Sequence, residues 1–325
     1  MDRHESIRDL RVLVTGATGF MGSHLCARLA AEGAELSVLV RPGRRGAPVA
    51  GRPSLPPASR ILEADITDPI ALERNLSAGS IDVVFHLAAL TDVRRDPALL
   101  ESMNAVNLQG TMNLAACLKN RSVRRVVHLG TCEEYGDGTA PFEEEAAARP
   151  VSPYSVSKSA ATLHMQELGR SGALPVVVVR PFLTYGRGQD SGRFLYQAIE
   201  AALENRSFPM TPGEQTREFN HIEDVLDGML LAAVLPGLEG EIINLASGDE
   251  RRLRDVADLV FSLAGSKSGP EPGALPYRDG EAMRFFGSTK KCRQLLGYAP
   301  KTRLEEGLAD LIAWERHRRK GGKDT

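Results

Sequence analysis

Arg11-Val12-Leu13-Val14-Thr15-Gly16-Ala17-Thr18-Gly19-Phe20-Met21-Gly22 is the stretch that decides the fold. A short β-branched run ends in a turn with glycines at i, i+3 and i+6. A helical pattern follows over 23–32 (Leu25, Leu29, Ala30), and Gly33 supplies its C-cap. Strand, glycine turn and helix in this order let main chain approach an anionic group closely. The first N–H groups of a helix have no partner within it, and its dipole favours negative charge there.

Working outward, further strands are expected at 36–40, 61–65, 83–87, 126–129 and 176–179, with helical patterns between most of them. The Gly/Pro/Arg-rich stretch 41–60 has no periodicity and reads as a loop. After Pro181 glycines and prolines loosen the pattern; a helix at 222–235, a strand at 242–245 and helices at 253–264 and 304–319 follow. Buried-type strands alternating with helices predict an α/β fold: a doubly wound parallel (Rossmann) sheet with a smaller, mostly C-terminal mixed α/β domain. The expected boundaries are 1–183 for the dinucleotide-binding domain, with 221–247 returning to it, and 184–220 plus 248–325 for the substrate domain.

With 325 residues, 42% apolar and 25% charged, the chain has the composition of a globular protein of about two domains. A net charge of −2 lacks the basic footprint of a nucleic-acid or anionic-membrane binder, so neither is an expected partner. Cys26, Cys117, Cys132 and Cys292 lie far apart, which suggests no metal site and no disulfide framework. The first ten residues carry five charges and no apolar core, so a cytoplasmic location is expected.

Two further features carry chemistry. The strand at 36–40 is followed by Arg41, with Arg44 and Arg45 close behind. An acidic residue there accepts from the ribose 2′-OH of NAD, whereas a basic one accommodates a 2′-phosphate, so NADP(H) is favoured and NAD(H) is the alternative. Asp65 and Ile66, after the third strand, suit the adenine edge. Tyr154 and Lys158 stand four apart at the start of an expected helix and share one face. An ammonium near a phenol lowers the phenol's pKa and makes it an acid/base near neutral pH.

Thr15-Gly16-Ala17-Thr18-Gly19-Phe20-Met21-Gly22, His86-Leu87-Ala88-Ala89, Asn107-Leu108-Gln109-Gly110-Thr111, Tyr154-x-x-x-Lys158, Arg180-Pro181-Phe182 and Arg217-Glu218-Phe219 occur in the order seen in extended short-chain dehydrogenases/reductases. The resemblance is to the branch that modifies nucleotide sugars, and it spans nearly the whole chain. It implies that Gly16, Thr18, Gly19, Phe20, Met21, Gly22, Leu87, Ala88, Ala89, Asn107 and Pro181 meet the cofactor along with Tyr154 and Lys158. It implies that Thr131 is the hydroxyl partner of Tyr154, that Lys158 also holds the nicotinamide ribose, and that a hydride moves between the nicotinamide and sugar C4. Thr91, Thr131, Leu183, Arg217 and Arg284 are the substrate positions it points to, the two arginines on the diphosphate of the nucleotide sugar. A homodimer is the usual assembly of such proteins.

The reaction turns on Thr131-Cys132-Glu133. Similar dehydratases and decarboxylases carry Thr-Asp-Glu or Thr-Ser-Glu, so Glu133 falls on their Glu while Cys132 replaces the Asp or Ser. The triplet is similar to that of a UDP-GlcNAc 5,6-dehydratase of tunicamycin-type pathways. Glu133-Glu134-Tyr135-Gly136 with Pro150-Val151-Ser152-Pro153-Tyr154 is closer to reductases of GDP-4-keto-6-deoxymannose, which use NADPH. Leu183 stands where an Asn commonly touches the diphosphate. His86, His128 and Tyr135 read as packing residues. The leading expectation is an NADPH-dependent reductase of an NDP-4-keto-6-deoxyhexose. Its alternatives are a redox-neutral dehydratase (4,6 or 5,6) or C4 epimerase with tightly bound NAD(P), and a non-catalytic NADP-binding protein.

Overall fold

The computed structural model describes residues 6–43, 49–77 and 79–321. Arg44 and Arg45 lie outside them. Seven strands form one parallel sheet: β1 (Arg11–Thr15), β2 (Glu35–Val40), β3 (Arg60–Glu63), β4 (Val83–His86), β5 (Arg125–Leu129), β6 (Val176–Pro181) and β7 (Ile242–Leu245). Their order is β7-β6-β5-β4-β1-β2-β3. The chain therefore leaves β1 in one direction for β2 and β3 and in the other for β4 onward, which opens a crevice at the strands' carboxyl ends.

Period-two alternation explains why both faces are covered. Val12 and Val14 join an apolar cluster with Leu25 and Leu29 of α1 (Phe20–Ala31) and Val225, Leu226 and Met229 of α7 (Ile222–Val234). Leu13 turns the other way and joins Leu72 and Leu76 of α2 (Pro69–Leu76), Leu114 and Leu118 of α4 (Gly110–Leu118), and Met165 and Leu168 of α5 (Pro153–Arg170). Between α3 (Leu100–Met103) and α4 the helix widens into a π segment, Asn104–Gln109.

A third cluster lies off the sheet, built from α6 (Phe194–Leu203), α8 (Leu253–Ala264) and α10 (Leu304–Gly321). Helix α9 (Lys290–Leu296) instead packs on β7. Three short strands, Arg251–Arg252, Thr216–Arg217 and Arg284–Phe285, pair beside the third cluster and bring residues 208–219 and 275–285 over the crevice. The expected elements are all present, with ends differing by up to three residues. The largest shift is α1, which starts at Phe20 because Gly19 is already its N-cap. Among the described residues no helix is long and apolar enough to cross a membrane.

Candidate active site

The crevice is one cleft of about 2110 Å³. Its floor is the glycine turn. Gly16 has φ +72°, and a Cβ there would stand 2.7 Å from the Leu87 carbonyl carbon; a Cβ on Gly22 would stand 2.1 Å from the Gly16 oxygen. Both positions thus need glycine for α1 to seat this close to β1 and β4. Gly19 caps α1 without a side-chain hydrogen bond, and the first turn carries no acidic residue. Its N–H groups remain available to an anion, so these residues fit a dinucleotide pyrophosphate.

Gly16, Thr18, Gly19, Phe20, Met21, Gly22, Arg41, Asp65, Ile66, Leu87, Ala88, Ala89, Thr91, Thr131, Cys132, Glu133, Tyr154, Lys158, Pro181, Leu183 and Arg217 all line this cleft. Asp65 accepts from the Thr67 backbone (2.9 Å) and hydroxyl (2.7 Å), which hold its carboxyl below the usual range.

Two expected residues are not brought to it. Asn107, on the π segment, is buried behind the wall: its side chain bonds both main-chain groups of Leu90 (2.7 and 3.0 Å) and donates to Ser157 Oγ (2.9 Å). It shapes the wall rather than facing the cleft. Arg284 is exposed and paired with Glu250 at 2.7 Å. Alternation on its strand turns Phe285 into the cleft and Arg284 out of it.

Thr131 ends the stretch that follows β5. Its hydroxyl accepts from Glu133 N (3.3 Å), and Glu134 reaches back to Thr131 N (2.9 Å). Glu134 is fully buried, paired with Arg180 at 2.8 Å, and also accepts from Thr162. This fixes the short helix Cys132–Tyr135 and so the direction of Cys132 and Glu133. Ser152 and Ser155 cap α5 reciprocally, which sets Tyr154 and Lys158 at its first turns.

Lys158 Nζ donates to the Leu129 carbonyl at 2.6 Å, and burial brings its pKa down to about 8. Burial pushes the Tyr154 phenol well up, against a lowering hydrogen bond with Thr131. The sequence expectation of a lowered phenol is corrected here, because desolvation of a phenolate outweighs the neighbouring donors. The Cys132 thiol lies in an aromatic cluster with Tyr135, Phe142, Phe182 and Phe285, and burial raises its pKa well above the ordinary value. Burial also raises the Glu133 carboxyl, opposed by Arg193, Arg217, Arg95 and Arg278.

His86 bonds Thr15 (2.7 Å) and Thr111 (2.9 Å) and is kept neutral by burial, its pKa falling to about 3. His128 is fully buried, and Tyr135 stacks on Phe142 at 4.8 Å. All three are packing residues, as read from the sequence. Among the described residues no group of His, Cys, Asp and Glu could hold a metal ion.

A glycine turn at a sheet's switch point, opposite a Tyr and a Lys on one helix, is the observation that the comparisons meet. The sequence profile of the NAD dependent epimerase/dehydratase family matches residues 12–246. The chain belongs to this family. Its members are extended short-chain dehydrogenases/reductases, and this one is an enzyme of that type. A UDP-glucose 4-epimerase of Mycolicibacterium smegmatis is 31% identical over 95% of this chain and 99% of its own. A dTDP-glucose 4,6-dehydratase of Streptomyces venezuelae, solved with NAD, is 28% identical with a TM-score of 0.83 over 96% of this chain and 98% of its own. A UDP-glucuronic acid 4-epimerase of Bacillus cereus, solved with UDP-glucuronic acid and NAD, is 25% identical with a TM-score of 0.83 over 95% and 100%.

The epimerase/dehydratase cleft of this chain also holds residues that sequence reasoning missed. Arg278 lines it and has no ion pair among the described residues, in contrast to Arg284 six positions on. Arg193 lines it at the uncapped N-terminus of α6. Arg52, from the aperiodic stretch after β2, bonds Gly188 O (2.8 Å) and Thr18 O (3.5 Å) beside the glycine turn. Arg217 donates to Glu281 and to Ala282 O (2.8 Å), and Arg95 donates to Asp279 O (2.9 Å) and Gly280 O (3.3 Å). The segment that carries Arg278 is thereby tied down across the cleft.

Proposed function

We propose that this protein is a nucleotide-sugar oxidoreductase acting at sugar C4, in the form of an NADPH-dependent reductase of an NDP-4-keto-6-deoxyhexose. Tyr154 carries the reading: it is a cleft-lining phenol, protonated at neutral pH, beside the Thr131 hydroxyl. A nicotinamide dinucleotide held at the glycine turn and beside Lys158 would supply the hydride for the carbonyl carbon. Tyr154 gives its proton to the oxygen that becomes the alcohol, and Thr131 hydrogen-bonds the same oxygen. Lys158, charged below pH about 8, stabilises the phenolate left on Tyr154. A donor that rests protonated suits reduction, since oxidation would need the phenolate at the start.

Arg217 and Arg278 are the residues proposed to hold the diphosphate, because paired guanidinium groups match its oxygens in charge and geometry. Arg41 is proposed to meet a 2′-phosphate and to set the preference for NADP(H). Two copies of the chain are proposed to form the working assembly.

Glu133 favours a second reading. It is a cleft-lining carboxyl raised by burial, a proton carrier that a simple reductase does not require. In a dehydratase it would take the C5 proton after oxidation at C4, and the hydride would return within the same turnover.

Mixing the protein with NADPH, then separately with NADH, and a panel of NDP-hexoses and their 4-keto-6-deoxy derivatives tests both. One NADPH consumed per sugar converted is the expected result. Conversion without net loss of NADPH overturns the reductase in favour of the second reading, and Glu133→Gln then abolishes turnover.

A further inference from the structure

Behind the cleft wall, Glu134 is fully buried with its acceptor positions all in use. Oε2 accepts from Arg180 Nε (3.0 Å) and Nη2 (2.8 Å), and Oε1 accepts from Thr131 N and Thr162 Oγ1, each at 2.9 Å. The space is shaped for the pair: a Cβ on Gly130 would stand 2.9 Å from Oε1 and 3.0 Å from Arg180 Cγ. As a stabiliser such a pair is a poor choice, because both ions lose their hydration and apolar side chains of the same volume often do as well. An apolar residue at 134, however, could neither accept from Thr131 N nor carry a charge.

Oε1 joins two parts of the site. Thr131 belongs to the segment after β5, whose hydroxyl stands beside Tyr154. Thr162 belongs to α5, one helical turn beyond Lys158 and on the same face. Lys158 Nζ donates to the Leu129 carbonyl and Glu134 accepts from Thr131 N, so ammonium and carboxylate hold the two peptide groups on either side of Gly130. The other groups facing Lys158 bring no negative charge to it. His86 on β4 and His128 on β5 are kept neutral by burial, His164 of α5 adds only a further imidazole beside His128, and the Tyr154 phenol is protonated. Cys132 and Glu133 act on Tyr154, and Arg180 on β6 faces Glu134. Glu134 is the carboxylate that opposes the desolvation of the Lys158 ammonium.

We propose that Glu134 is a positioning residue: through Oε1 it ties Thr131 to the helix that carries Tyr154 and Lys158, and its charge holds the proton on Lys158. This rests on the reading of Tyr154 as the proton donor and Lys158 as its support.

The test follows Lys158 directly, by NMR titration of the full chain with isotope-labelled lysine, its signal assigned by its loss in Lys158→Met. In Glu134→Gln, which keeps an acceptor for Thr131 and Thr162 but removes the charge, the Lys158 midpoint should fall by about one pH unit or more. The high-pH limb of kcat/KM, measured on the NDP-sugar that the substrate panel identifies, should fall with it. Thr162→Val leaves the carboxylate in place and unties α5, so kcat should drop about tenfold with the limb still at pH about 8, and Thr162→Ser should restore it. Should Glu134→Gln fail to fold with Arg180 left unpaired, its combination with Arg180→Met removes both charges and carries the same expectation for Lys158. An unmoved Lys158 midpoint, a limb that stays in place without the Glu134 charge, or native kcat in Thr162→Val would each overturn the assignment. If no NDP-sugar turns over, the nucleotide-sugar reading fails, and the lysine titration still decides the role of Glu134.

Discussion

Tyr154 and Lys158 are one helical turn apart, yet burial moves them in opposite directions for one reason. It penalises the charged form, which raises the phenol and lowers the ammonium. Replacing Tyr154 by Phe deletes the proton donor and leaves the ring, so kcat should fall by about 10²- to 10⁴-fold. Affinity for the nicotinamide dinucleotide, read by fluorescence titration, should stay within about twofold; retained turnover would rule Tyr154 out as the acid. Lys158, with a pKa of about 8, is charged below that pH and neutral above it. If its ammonium supports Tyr154, kcat/KM declines as pH rises through about 8. Stability has the opposite slope: between pH 8 and the ordinary lysine range the unfolded chain binds the extra proton, so Lys158 makes the fold more stable with rising pH. A flat kcat/KM profile to pH 10 would remove Lys158 from the reaction.

The glycine turn works as an element, because each glycine serves a contact between a strand and a helix. An alanine at Gly22 would put its Cβ 2.1 Å from the Gly16 oxygen, and main chain cannot yield as a flexible side chain does. Gly22→Ala should destabilise the protein by about 1–3 kcal/mol, the usual scale of overpacking. It should also weaken dinucleotide binding by more than about tenfold, since the first turn of α1 is displaced. Thermal unfolding with and without cofactor checks both, and an unchanged cofactor-induced shift in melting would sink the link between turn and binding. This turn was readable in the sequence because its spacing is local. So was the Tyr154–Lys158 pair, which one helix fixes. Arg284 was misplaced because alternation on a two-residue strand decides which side faces the cleft, and nothing in the sequence marks that strand's register. Arg278 and Arg52 stand in aperiodic stretches, positioned by Arg95, Arg217 and Gly188 from elsewhere in the chain.

On the scale of the whole molecule, the sheet, its helices and the third cluster close around one cleft, and several large apolar side chains remain exposed, four of them on neighbouring helices. Leu100, Met112, Val156 and Leu163 are exposed, from 37% for Met112 to 59% for Leu163, and they belong to α3, α4 and α5. These helices pack on one another, so the four residues come from one helical layer on the sheet face away from α1 and α7. Single exposed leucines need no explanation, whereas several on one layer of helices suit a self-complementary contact. A twofold interface needs the same patch on both copies, and α5 crossing its own copy satisfies that. The consequence for function is indirect: α5 carries Tyr154 and Lys158, and a partner against its outer face would hold their helix in place. Sedimentation should therefore give a dimer for the native chain. Leu163→Asp, which puts a charge on the most exposed of the four side chains, should give a monomer with the same circular dichroism and a lower melting temperature. A dimer that persists in Leu163→Asp and in a combined Met112→Lys, Leu163→Asp variant would show that the copies meet elsewhere, or that these side chains contribute nothing to their meeting.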